Sequence, residues 1–160
     1  MAQPANQNNL IKNILSSAKT IAMVGVSSIK KEVSTNINRR PSIIVMKYLQ
    51  EFGYKVIPVN PFSVGKKIHG EIIVEKLEDI KIPIDIVDVF RPSKETPIIA
   101  KEAAKIRAKV LWLQYGIQNK ETEEIAKTAN IAYVANRCIK QEYQKIFLKV
   151  SPVFPALKNN

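Results

Sequence analysis

Lys19 to Ser28, KTIAMVGVSS, is an apolar run that breaks at a glycine, and Pro41 to Pro61, PSIIVMKYLQEFGYKVIPVNP, sets a helical pattern ahead of a second apolar run. Strand, tight turn, helix and strand in that order are the opening unit of a parallel sheet, because parallel neighbours need a crossover between them. Ile21 to Val26 is the first predicted strand and Lys55 to Val59 the second. Gly25 lets the chain turn sharply, Val26 follows it, and Ser27 and Ser28 offer hydroxyls and backbone N–H groups to an anion. A ligand carrying phosphates is the first functional expectation. The dinucleotide fingerprint G-x-G-x-x-G is absent, since the other two glycine positions counted from Gly25 hold Ser27 and Lys30.

The rest of the chain repeats the alternation. Ile84 to Phe90 is a third strand whose β-branched character predicts burial on both faces, Val110 to Leu113 a fourth and Ile131 to Val134 a fifth. Helical patterns separate them: Ser93 to Arg107, with Ile99, Ala103 and Ile106 on one face, and Asn119 to Ala129, with a capping residue and the early acids Glu121, Glu123 and Glu124. This pattern predicts an α/β fold, a doubly wound five-stranded parallel sheet in the order 3-2-1-4-5. The 160 residues form one expected domain, residues 1–160, with loosely ordered ends at 1–9 and 151–160.

The N-terminus, MAQPANQNNL, has neither a basic start nor an apolar stretch, so no signal peptide or membrane span is expected and the chain reads as cytoplasmic. A single cysteine, Cys138, fits a reducing compartment and leaves no thiol pair for a metal site. The net charge of +11, from 25 Lys and Arg against 14 Asp and Glu, favours an anionic partner. Lys30, Lys31, Arg39 and Arg40 cluster beyond the Gly25 turn, with Lys66 and Arg91 after later strands, whereas Lys101, Lys105, Arg107, Lys120 and Lys127 are spaced along helices as solvated faces. No aromatic RNA-binding pattern, zinc spacing or recognition helix accompanies the charge, so a nucleic-acid partner ranks last.

In such sheets ligands lie beyond the carboxyl ends of the strands, which directs attention to Gly25 to Ser28, Asn60 to Phe62, Phe90 and Arg91, Gln114 to Gly116, and Asn136 to Cys138. An NAD site places an acid after the second strand; here Asn60 and Pro61 stand there, which disfavours ordinary NAD.

The motif order VGVSS (Val24 to Ser28), RPS (Arg40 to Ser42), YLQEFGYKVIPVNP (Tyr48 to Pro61), DIVDVFR (Asp85 to Arg91), VLWLQYGI (Val110 to Ile117) and NRCIKQE (Asn136 to Glu142) resembles the small single-domain CoA-binding proteins. That family is related to the CoA-binding N-terminal domain of the succinyl-CoA synthetase alpha subunit. The resemblance implies a Rossmann-like domain holding coenzyme A. Gly25, Val26, Ser27, Ser28, Arg40 and Ser42 would lie near the phosphates, Val59, Asn60, Pro61 and Lys66 near the adenosine end, and Phe90, Arg91, Gln114 and Gly116 along the remainder. It also implies binding of CoA or an acyl-CoA without evident catalysis, because the synthetases depend on a second domain with a phosphorylatable histidine. An NADP-dependent or other nucleotide-dependent enzyme is the alternative, and no metal is expected.

Several residues have plainer readings. Trp112 sits in an apolar strand and reads as core, while Gln114 has the stronger case for a ligand. His69 has no nucleophile or orienting group assigned to it. Cys138 is either an inert thiol or the partner of a mixed disulfide with CoA. Asp85 reads as the start of a strand, and Asp88, if buried, requires a partner.

Overall fold

Five parallel strands form the central sheet of the structure, a computed structural model that describes residues 4–26 and 41–149. They are β1 (Thr20–Val24), β2 (Lys55–Val59), β5 (Ile86–Val89), β6 (Val110–Leu113) and β7 (Ala132–Val134), and they lie in the order β2-β1-β5-β6-β7. A separate two-stranded hairpin, β3 (Lys67–Ile68) and β4 (Glu71–Ile72), follows β2. The helices are α1 (Pro4–Ser17), α2 (Pro41–Glu51), α3 (Thr96–Lys105), α4 (Lys120–Thr128) and α5 (Ile139–Tyr143).

The doubly wound parallel sheet is as expected, but the order is not. Numbered as predicted, the strands run 2-1-3-4-5 rather than 3-2-1-4-5. Pro58 supplies the reason. Along β2, Lys55 and Val59 bond inward to the β1 strand and its flanks, whereas the Pro58 carbonyl and the Asn60 N–H face outward to Val74. The missing N–H of Pro58 therefore falls on the outer side, where a full third strand would need a donor, and proline in a strand belongs at an edge. β5 takes the other flank of β1 instead, in the register Ile21 to Ile86 and Met23 to Asp88.

Alternation along the strands divides the core in two. Ile21, Met23, Ile86, Trp112 and Val134 face a layer built from α1, α2 and α5, with Ile11, Met46, Leu49 and Ile139 as its packing partners. Ala22, Val24, Val87, Leu111 and Leu113 face α3 and α4 through Ile99, Ala100, Ala103 and Ala126. Trp112 is fully buried, as its core reading requires, and its indole N–H donates to the Arg137 carbonyl at 2.8 Å.

Within the end expected at residues 1–9, residues 4–9 form the first turns of α1. Their Asn- and Gln-rich sequence hides an anchor one turn later, where Ile11, Ile14 and Leu15 are buried. The Tyr54 hydroxyl donates to the Leu15 carbonyl, tying α1 to the start of β2; burial, and secondarily Tyr143, pushes that phenol up to about 12. Residues 151–160 lie outside the described part.

Candidate functional site

The chain leaves β1 for α2 on one face of the sheet and leaves the neighbouring β5 for α3 on the other. The crevice where adjacent strands part in this way is where open α/β sheets bind ligands. Gly25 sits in it, one residue beyond β1. Its φ of +97° and its crowding both require glycine: a Cβ there would lie 2.8 Å from Arg91 Cδ and 2.9 Å from the Phe90 carbonyl oxygen.

Two cavities open on either side of this glycine. The larger, about 780 Å³, is floored by Gly25, Phe90 and Gln114, the residues next after β1, β5 and β6. Pro41 and Ser42 of α2, Tyr115, Ile117, Cys138 and Gln141 complete its wall. The smaller, about 260 Å³, lies beyond β1 and β2 and against α3. Val24, Val59, Pro61 and Ile99 give it apolar surface, Asn60 and Phe62 its lip, and Arg91, Lys76, Glu75, Glu95 and Glu102 a charged rim. Gly25 borders both.

The polar groups around the crevice are tightly held. Gln114 is buried, and its Oε1 accepts the Ile139 N–H at 3.1 Å, which satisfies a donor at the start of α5 and leaves the side-chain NH₂ to donate. Asn60 donates from Nδ2 to the Val26 carbonyl at 2.8 Å and accepts the Phe62 N–H at Oδ1 at 2.9 Å. One amide thus fixes the exit of β1 and the turn after β2 together. The Arg91 guanidinium forms a two-point contact with Glu95, Nε to Oε1 at 2.9 Å and Nη2 to Oε2 at 3.0 Å, as a planar fork does with a carboxylate. Burial, and secondarily Glu78, raises the Glu102 carboxyl above its ordinary value.

One layer beneath the larger cavity, Asp88 pairs in register with Met23 on one side and Trp112 on the other. It is fully buried and neither carboxyl oxygen has a hydrogen-bond partner among the described residues, contrary to the expectation of one. Desolvation pushes its pKa well above the usual aspartate value, which favours the neutral form.

Of the residues singled out from sequence, Gly25, Ser42, Phe90 and Gln114 line the larger cavity, and Gly25, Val59, Asn60, Pro61 and Arg91 the smaller. Val26 is fully buried and contributes its carbonyl to Asn60. Lys66 and Gly116 line neither cavity; the Gly116 N–H is taken by Asn136 Oδ1 at 2.7 Å. Ser27, Ser28 and Arg40, with Lys30, Lys31 and Arg39, lie outside the described residues. His69 is structural here. With φ +49° it turns the β3–β4 hairpin, and its ring nitrogen Nε2 lies 3.1 Å from the Ile43 carbonyl of α2. Asp85 likewise closes the N-terminal edge of the sheet: its Oδ2 accepts the N–H groups of Lys19 and Thr20. Although burial works against ionisation, these bonds hold its carboxyl below the usual value.

Glu75 and Glu102 were not foreseen, because they enter from a loop and a helix with no motif to join them, and Tyr115 and Gln141 lie within the motifs VLWLQYGI and NRCIKQE but were given no role of their own. Among the described residues no group of three potential metal ligands occurs, and no helix is long and apolar enough to cross a membrane.

Comparison with known proteins agrees with this arrangement. The profile of the CoA binding domain family matches residues 19–144. The Bacillus subtilis protein YneT, itself uncharacterised, is 38% identical over 130 residues, covering 81% of this chain and 89% of YneT. A Thermus thermophilus protein of solved structure superposes with a TM-score of 0.78 at 38% identity, over 88% of this chain and 98% of that one. A dinucleotide-forming acetyl-coenzyme A synthetase from Ca. Korarchaeum cryptofilum shares the fold, with a TM-score of 0.59 at 20% identity over 74% of this chain and 26% of the synthetase. With the match spanning the whole sheet and every strand end that borders the crevice, the chain belongs to the CoA binding domain family.

Proposed function

We propose that the protein binds coenzyme A or an acyl-CoA in the crevice at the carboxyl ends of β1, β2, β5 and β6, with the ligand passing over Gly25 from one cavity to the other. The observation that carries this reading is the single glycine bordering both cavities, whose missing side chain lets Phe90 and Arg91 pack against it at the point where the two recesses meet. CoA is long, with an adenosine head, a chain of phosphates and a thin pantetheine arm. Two unequal cavities joined at a waist match that outline better than a single globular pocket does.

The larger cavity suits the pantetheine arm. Phe90 and Ile117 give it apolar surface, and Ser42 and the NH₂ of Gln114 give it hydrogen-bonding groups for amides. The protein acts as a binding module in this reading, in the cytoplasm, with the ligand as its partner. Native mass spectrometry of the protein as purified tests the reading. A co-purifying mass equal to CoA or an acyl-CoA is the expected result, and an adduct of NADP mass would overturn it.

A further inference from the structure

The loops that follow β6 and β7 meet in one wall of the larger cavity. Gln114, Tyr115 and Ile117 come from the first loop, Cys138 and Gln141 from the second and the helix it enters. The first loop is a tight turn. The Ile117 N–H donates to the Gln114 carbonyl at 2.9 Å, Gly116 holds φ +87° and Tyr115 a negative φ. That combination is a type II turn, which differs from the commoner type I by a flip of its central peptide, here the one joining Tyr115 to Gly116. Packing does little to choose between the two forms. Tyr115 is 76% exposed, and a Cβ at Gly116 would meet nothing within 4 Å.

Asn136, at the start of the second loop, makes the choice. Its side-chain Oδ1 accepts the Gly116 N–H at 2.7 Å, and its own backbone N–H donates to the Ile117 carbonyl at 3.0 Å. To reach both it takes φ +60°, a conformation that Asn adopts more readily than most residues. A type I turn would withdraw the Gly116 N–H and set the Tyr115 carbonyl oxygen against the Asn136 oxygen instead.

We propose that Asn136 is a positioning residue for the larger cavity: it holds the Tyr115–Gly116 peptide in one orientation and so fixes the wall against which the ligand lies. Asn136 itself lines neither cavity and acts through the turn. The inference rests on the CoA reading above.

Calorimetric titration with CoA of wild type, Asn136→Gly, Gly116→Ala and the double variant tests this. Asn136→Gly keeps the left-handed backbone without strain and removes only the acceptor. Gly116→Ala disfavours the positive φ that the turn needs, in open space. Each should weaken CoA by about three- to tenfold, the worth of one hydrogen bond. The double variant should bind no worse than the weaker single one, because both changes release the same turn. Asn136→Asp keeps an acceptor and should rescue binding. Losses that multiply in the double variant, an Asn136→Gly protein that binds as wild type does, or an Asn136→Asp protein as weak as Asn136→Gly overturns the assignment and leaves the CoA reading standing. A wild-type protein that binds no CoA overturns both. Because Asn136 is exposed, Asn136→Gly should melt as wild type does, which verifies that folding is not the cause.

Discussion

Asp88 shows how a residue can be legible as buried and still surprise. Its place in DIVDVF predicts a strand interior, but the missing partner is visible only in three dimensions, where Met23 and Trp112 flank it. Burial raises its folded pKa, so the folded protein holds a proton that the unfolded chain releases. The stabilising share of that proton is full below the ordinary aspartate range and is lost as pH rises toward the folded pKa. Asp88→Asn has no ionisable group, so its stability relative to wild type should rise between pH 4 and pH 7, a gain that shrinks toward pH 4. Urea denaturation at both pH values checks it, and a gain that grows on acidification would contradict it. Gly25 carries the opposite risk. With positive φ and a Cβ contact under 3 Å to the Phe90 carbonyl, Gly25→Ala should cost about 1–3 kcal/mol of stability as well as affinity. A variant as stable as wild type would show that the Arg91 and Phe90 contacts yield.

At the scale of elements, α4 and the turn before α3 are held by one small polar cluster. Asn119 caps α4 by accepting the Thr122 N–H at 3.0 Å and donates from Nδ2 to the Ser93 carbonyl, while the buried hydroxyls of Thr122 and Thr96 meet at 2.6 Å. Asn119→Ala removes both the cap and the bridge and should cost about 1–2 kcal/mol, read as a lowered urea midpoint with unchanged slope; no change would mean the cluster is redundant. The Asn119 cap was readable because Asn followed by early acids is a helix-start signal in itself. Strands β2 and β6 were readable to the residue as bounded apolar runs. The strand order was misjudged because runs of apolar residues say nothing about neighbours, and the one informative residue, Pro58, acts only through the side of the strand its nitrogen faces. The short β3–β4 hairpin was missed for a related reason: two-residue strands have no periodicity, and its turn is made by His69 with Gly70 rather than the commoner Asn-Gly.

For the whole molecule, the crevice was legible in outline because a parallel sheet puts its strand ends on one side, and those ends follow apolar runs that sequence reveals. Gly25, Asn60, Phe90 and Gln114 were found that way. The division into two cavities was not, since it follows from α2 and α3 lying on opposite faces of the sheet, and the rim acids join Glu75 of one loop to Glu95 and Glu102 at and within α3. The two-cavity crevice leads to one overall expectation. A ligand that binds only the folded state stabilises it by mass action, by about 2.7 kcal/mol at 100 times its dissociation constant. For a domain of this size that is a rise of about 5–10 °C in melting temperature. The most direct test is a thermal scan of the protein in CoA and, side by side, in NADP at the same concentration: a rise of that order in CoA and none in NADP is expected, and a clear rise in NADP with none in CoA would contradict CoA binding in the crevice.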